Sequence, residues 1–528
     1  MNRTLRTPAL IVLPLLIVAG LVIQSRDDGA TAPPVRLSEL TATASAPGTP
    51  STTWYCAAGS ATGVTSGEGA GPAEQVVAIA NASDTDATGT VTLFPEGAAP
   101  KAVPVQVPAH SRFQLKVSDQ VKAPWAAALV ETTGGEVSVG HDLSGPAGHS
   151  VSDCASTPSA EWYFPAGLSR VGSDIYLALF NPFPGEATVD LSFDTDNGIR
   201  SSPKYQGIVV PGGSVVVEKV SDVVTETDHV ATNVSVRSGR IVAEQVQTLD
   251  GREGRPKGLT ATVGASTPAA VWSFPMSAPA DVAARESVAV FNPGDTDTDV
   301  LVQVQLDDPA VSGTVEPFEV TVPAHRAISV DVSPGDQRVP SGVPHWVIVR
   351  TTNGSDIVAE RTLTGGSSGV SYAIGLPVVA TRWIATIAGS SQPTSQLAIA
   401  NPSATATATV TVRGIGGGSI GDIAGAVDLT VAPGERVVVD LTKAGLGASS
   451  SVEVVSDVGV VVGQWMTFTG PSDIATPVGV PVGGTQALPV GVIDPTVAVE
   501  NDLGGDLAPA PPVAGPDTQA PTTTAAGA

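Results

Sequence analysis

The sequence predicts an all-β chain: four tandem immunoglobulin-like β-sandwich domains following an N-terminal membrane helix. Three observations lead there. A tryptophan recurs at Trp54, Trp162, Trp272 and Trp383, with intervals of 108, 110 and 111 residues. Within each period apolar residues alternate with polar ones, the two-residue rhythm of half-buried strands. Beyond Ile23 there is no sustained 3.6-residue apolar stripe, while Gly and Pro punctuate the chain every 8 to 12 residues or so.

Taken in order, residues 1–27 read as a signal anchor. Arg3 and Arg6 precede an apolar run over residues 9–23, and Arg26, Asp27 and Asp28 follow it. Basic residues ahead of the run place the short N-terminus in the cytoplasm and the rest outside. The segment after Ile23 offers no small-residue cleavage site, so an uncleaved membrane anchor is preferred to secretion after cleavage. Residues 28–53, rich in Thr, Ala, Pro and Ser, read as a flexible stalk. The four sandwiches then occupy residues 54–158, 159–268, 269–379 and 380–487, and residues 488–528 form a Pro/Ala/Thr-rich tail expected to be disordered.

Each repeat has the same internal landmarks. An apolar run ends in Asn81, Asn181, Asn292 or Asn401, and Pro follows the last three. A turn then begins at Val107, Val210, Val322 or Val431. Ala187, Val189, Leu191 and Phe193 alternate with Thr188, Asp190 and Ser192, as do Val300, Val302, Val304 and Leu306 with their neighbours. Six or seven strands per repeat are expected. The Asn residues are read as turn formers that bond their own backbone two residues on. The Trp residues are read as core anchors, with a sugar platform as the alternative. Short connections imply a stiff rod or curved stack; a propeller-like ring is disfavoured because a blade needs only about 40 to 50 residues.

Net charge is −25 with a pI near 4.4, which argues against a nucleic-acid partner. Two cysteines, Cys56 and Cys154, lie at the two ends of the first repeat. In an exported chain they are expected to form a disulfide rather than a thiol or metal site.

Candidate chemistry is sparse. Residues 416–421 match GxGxxG, but no helix follows, so the glycines read as a hairpin. Asp194, Asp196 and Gly198 resemble the front of a calcium loop without its distal Glu, and Asp295, Asp297 and Asp299 form a second acidic turn. Among six histidines (His110, His141, His149, His229, His325, His345), His141 and His149 lie with Asp142 and Asp153 in the one local group able to hold a metal or act as a base. Glu244 and Glu360 share a repeat position where Gly140 and Gly463 stand elsewhere, too far apart for a paired-carboxylate hydrolase. No catalytic, cofactor or metal site is assigned, and the chain is read as not an enzyme.

The units built as WYFPAG from Trp162, YLALFNP, VPGGSVVVEKV and GRIVAEQ, together with WYC at Trp54 and the later Cys154, resemble an uncharacterised actinobacterial cell-envelope family. The likeness covers roughly residues 50–487; the fourth repeat departs from it with WIATIAG at Trp383. The family brings no activity to transfer, and the resemblance implies a partner in envelope glycosylation. The expected function is therefore a membrane-anchored extracytoplasmic protein that positions an envelope protein such as a glycosyltransferase. Wall polysaccharide binding through exposed Tyr55, Tyr163 or Trp465 is the alternative, and a hydrolase around His141 a distant third.

Overall fold

The computed structural model describes residues 37–488 apart from the short segments 64–69, 281, 283, 308–314, 336–337, 366–368, 387–393, 447–449, 469–472 and 484–485. The expected anchor and tail lie outside the described residues. No helix among the described residues is long and apolar enough to cross a membrane.

Strands dominate, as the alternation predicts, and every strand pairing is antiparallel except for isolated bridges. Repeat one contains two four-stranded sheets. In the first, Ser51–Cys56 pairs Ala126–Thr133, which pairs Ala87–Pro95, which pairs Lys101–Val107. The second runs Ser111–Lys116, Glu74–Asn81, Val137–Gly145, Gly148–Asp153. Repeat three reproduces both orders with Val271–Phe274, His345–Thr351, Thr298–Leu306 and Phe318–Val322, and with Ala327–Asp331, Ala284–Phe291, Val358–Gly365 and Val370–Ile374. Repeat two adds a hairpin strand, Gly198–Arg200. In repeat four the 17-residue strand Ser451–Thr467 runs through both halves and joins them into one ten-stranded sheet. Eight strands in repeats one and three and nine in repeat two exceed the six or seven expected. The extra ones are short, polar-faced edge strands with too little apolar alternation to register.

Strand faces follow the pattern. Ala187, Val189, Leu191 and Phe193 are buried while Thr188, Asp190 and Ser192 are half-buried. Trp54, Trp162, Trp272 and Trp383 occupy the corresponding first strand of their repeats and are all buried. The indole N–H groups of Trp162 and Trp272 donate to the carbonyls of Ile241 and Ile357, so each ring buries its area without stranding its polar edge.

The four asparagines form the most regular feature of the fold. Each is buried, with Oδ1 accepting the backbone N–H two residues on: Ser83, Phe183, Gly294 and Ser403, at 2.9–3.0 Å. Each Nδ2 donates across the turn to the carbonyl of Val107, Val210, Val322 or Val431, at 3.0–3.1 Å, and to a second carbonyl four or five residues ahead. One side chain thus closes its own turn and ties it to the distant Val turn. The residue three after that Val has positive φ in all four repeats: His110 (48°), Gly213 (63°), His325 (58°) and Gly434 (75°). Two repeats meet the requirement with glycine, and two use a histidine beside Asp84 or Asp295. Asn292→Ala strands the buried Val322 carbonyl and removes the part-buried bonds to the Thr296 carbonyl and the Gly294 N–H, so a loss of about 1–2 kcal/mol is expected in urea unfolding; a loss under about 0.5 kcal/mol would contradict the role given to it.

The repeats do not extend as a rod. They close on one another as a ring, and the apolar clusters span every junction. Phe94 of repeat one packs on Phe180 of repeat two at 5.0 Å, and Tyr163 of repeat two on Phe291 of repeat three at 5.9 Å. Trp346 of repeat three shares a cluster with repeat four, and Ile384, Ile415 and Val480 of repeat four lie in the core of repeat one. Polar links recur at the junctions: Arg326 with buried Asp194, and Arg436 with Asp307. Between repeats four and one, Gly418 N–H donates to Ser111 Oγ and Arg382 pairs with Glu136. The blade-length argument against a ring fails because each unit here is a two-sheet body, not a single blade sheet.

The stalk expectation is corrected within residues 39–53; its first part, residues 28–36, lies outside the described residues. Helix α1 (Leu37–Leu40) is followed by Ala44, fully buried in a parallel bridge with Val482 of repeat four, so the chain here packs against the ring. The Ala44 N–H donates to the Pro481 carbonyl and Gly483 N–H returns to the Ala44 carbonyl, both at 2.9 Å. Small Thr, Ala and Ser side chains suit this close approach, although their composition reads as a linker.

Candidate functional site

The local group flagged by sequence lies where repeat one meets its neighbours. Val137–Gly145 carries His141 and Asp142, and its hairpin partner Gly148–Asp153 carries His149, Ser152 and Asp153. His141 is buried, with its Nδ1 3.0 Å from the Gln75 side-chain amide. Its Nε2 faces both Glu244 Oε1 of repeat two at 2.7 Å and Ser152 Oγ at 2.8 Å. The other Glu244 oxygen accepts the backbone N–H groups of Ala57 and Ala58 at 3.2 and 2.9 Å. Burial pushes the His141 pKa down, but the Glu244 charge and hydrogen bond, with Asp142 and Asp153 behind, hold it above its ordinary value.

A Ser–His–acid relay needs nucleophile and acid on opposite ring nitrogens. Here Ser152 and Glu244 share one, and an amide blocks the other. The carboxylate is committed to two backbone donors. This is a structural tie between repeats, not a proton relay.

Cys56 and Cys154 form the expected disulfide, with Cα atoms 4.7 Å apart. It joins the first strand of one sheet to the end of the outermost strand of the other. His141 lies close enough that its ring nitrogen and both sulfurs fall within 4.8 Å of one another, but the sulfurs are consumed in the bond.

His149 does not join His141. Its Nδ1 meets Asp473 of repeat four at 2.5 Å and its ring stacks on Phe468 at 4.7 Å, so it serves the junction that closes the ring. The Asp473 hydrogen bond raises its pKa, with burial opposing.

The other acidic candidates are also structural. Asp194 pairs with Arg326 and accepts the Ala327 N–H at 2.7 Å; Asp196 accepts Thr227 Oγ1–H and the Asp228 N–H. Asp297 accepts the Ala324 N–H, and Asp299 accepts Thr321 Oγ1–H. Residues 416–421 form a hairpin in which Gly416 pairs with Ser419, and Gly417 and Gly418 have the positive φ a two-residue turn demands. Glu360 mirrors Glu244 by accepting the Ala166 N–H of repeat two at 2.8 Å, and burial pushes its pKa to about 8, the Ala166 bond opposing. Of the aromatics considered for sugar binding, Tyr163 and Trp465 are buried and Tyr55 is half-buried against the core. None offers an exposed platform.

Two features escaped the sequence reading. One is a buried charged group in repeat three, where Glu286 lies 3.3 Å from His345 and 3.7 Å from Arg361. The other is the centre of the ring. The strands Gly148–Asp153, Lys257–Val263, Val370–Ile374 and Ile474–Ala475, one from each repeat, pack in a cycle. Ser150 Oγ accepts the Ala261 N–H, Thr260 Oγ1 the Tyr372 N–H and Ser371 Oγ the Thr476 N–H, at 2.8–3.0 Å. The signal available was a hydroxyl residue four positions before Cys154, Gly264 and Gly375. These strands and the turns after them, with residues 39–42 across them, line a cavity of about 110 Å³.

Comparison with known proteins adds little chemistry. Residues 141–369 match a family of unknown function, DUF5719, a segment that begins at His141 and runs through repeat two into the end of repeat three. No curated protein matches the chain. A solved structure from Thermotoga maritima, titled "Crystal Structure of Thermotoga maritima 1070", aligns at 15% identity over 21% of this chain and 94% of its own, with a TM-score of 0.17.

Proposed function

We propose that this chain is a non-catalytic extracytoplasmic scaffold: immunoglobulin-like repeats, held at the membrane by the N-terminal segment, that position an envelope protein such as a glycosyltransferase. The supporting observation is where apolar surface remains. Of seven large apolar side chains exposed among the described residues, five belong to repeat two: Val171, Phe183, Ile199, Val209 and Val223. Scattered exposed apolar residues are ordinary, but their concentration on one of four equivalent repeats favours that repeat as the partner-facing one. A disulfide in the first repeat fits an oxidising compartment. The recurrent Trp and Asn residues are spent on the core and turns of their own repeats, and the buried Glu pair on the junctions between repeats.

Photo-crosslinkers at Ile199 and Val209, 57% and 51% exposed, test this in intact cells. The expected result is the same envelope protein captured from both positions, and not from a crosslinker at exposed Val427 in repeat four. Absence of any adduct at repeat two, or equal capture from repeat four, would overturn it.

A further inference from the structure

We propose that the cavity at the centre of the ring is a binding site for a small organic ammonium ion, with Asp153 as its counter-charge. The inference does not depend on the scaffold reading or its partner.

Four equivalent positions face this cavity, fixed by strand register. Val263 stands opposite Glu244, Ile374 opposite Glu360, Asp153 opposite Gly140, and Val478 bridges Gly463. All four line the cavity. Three are apolar and the fourth is a carboxylic acid. No hydrogen-bond partner of the Asp153 side chain occurs among the described residues, whereas nearby Glu244 is bonded to backbone N–H groups and His141, and Asp473 to His149. A half-buried carboxyl with no hydrogen-bond partner is costly, and a core that needed only packing would carry a fourth Val or Ile there.

The surrounding chemistry sets the sign and size of the ligand. Lys, Arg and His are absent from the cavity lining, whose other charged residue is Glu39. The walls are Trp162, Tyr372 and small aliphatic residues, which suit an alkyl body with a cationic head. A volume of about 110 Å³ is below the roughly 150 Å³ of a protein cavity that holds benzene, so a body of four or five carbons fits. Burial raises the Asp153 pKa to about 7, His141 opposing, so the carboxylate is available to a cation above neutrality.

The test is calorimetric titration of the full-length chain at pH 8 with isobutylammonium, isobutanol and isobutyrate. The ammonium ion is expected to bind at least tenfold more tightly than the alcohol, and isobutyrate not at all. Asp153→Asn should remove that preference. Val263→Phe, which fills the cavity from an equivalent position without touching the carboxyl, should abolish binding of both. An ammonium ion bound no better than the alcohol, or bound unchanged in either variant, would overturn the assignment. If Asp153→Asn does not fold, Val263→Phe alone decides: persistent binding places the ligand elsewhere.

Discussion

Replacing Glu244 with alanine is expected to destabilise the chain by about 3–5 kcal/mol, the range for breaking a buried charge pair by removing one partner. The change leaves His141 without its counter-charge and the Ala57 and Ala58 N–H groups without their acceptor, all in the dry junction between repeats one and two. The midpoint of urea unfolding, followed by tryptophan fluorescence, reads the loss. The equivalent Glu360→Ala should cost much less, about 1–2 kcal/mol, because that acid is held neutral at pH 7 and satisfies a single backbone donor. A double change of Glu244 and His141 to leucine should recover part of the loss by removing both charges together. Equal effects at Glu244 and Glu360 would show that repeat position, rather than the ion pair, sets the cost.

The second large effect is expected from the disulfide. Cys56 and Cys154 are 98 residues apart, and the loop-closure model assigns a cross-link of that length about 4–5 kcal/mol. The double Cys→Ala variant should lose that amount in urea unfolding relative to the oxidised protein. The bond ties the first-strand edge of one sheet to the end of the outermost strand of the other, so its loss frees the inner edge of repeat one, where His149 meets repeat four. A loss below about 1 kcal/mol would mean that the ring constrains the unfolded chain's ends as well as the cross-link does.

Much of the local structure was legible. Period-two runs such as Ala187 to Phe193 report one buried face directly, and the Asn at the end of each apolar run has the side chain an Asx turn requires. The disulfide followed from the cysteine number and the export expected of the chain. The closure of the ring was not legible. It rests on pairs such as Arg326 with Asp194 and Arg436 with Asp307, which are unremarkable as isolated residues and acquire meaning once one repeat is rotated against the next. The same limit applies to the candidate site. His141 and His149 are neighbours in sequence but are drawn to opposite junctions by Glu244 and Asp473. Asp153 looked like part of their cluster, and its distinguishing property, equivalence to three apolar positions, appears only when strand register is known.

The bridge between Ala44 and Val482 makes assembly order a property of the architecture. A growing chain can form the first three repeats from sequence-local contacts as each emerges, but the last neighbour of repeat one is the last to be synthesised. Until then the face of repeat one that receives Ile384, Ile415 and Val480, and the backbone of Ala44, have no partner. Closing that span carries a loop entropy that grows only with the logarithm of its length, so the delay is topological more than energetic. The early repeats must remain soluble and unpaired through that interval, a demand that the chain's large excess of negative charge helps to meet.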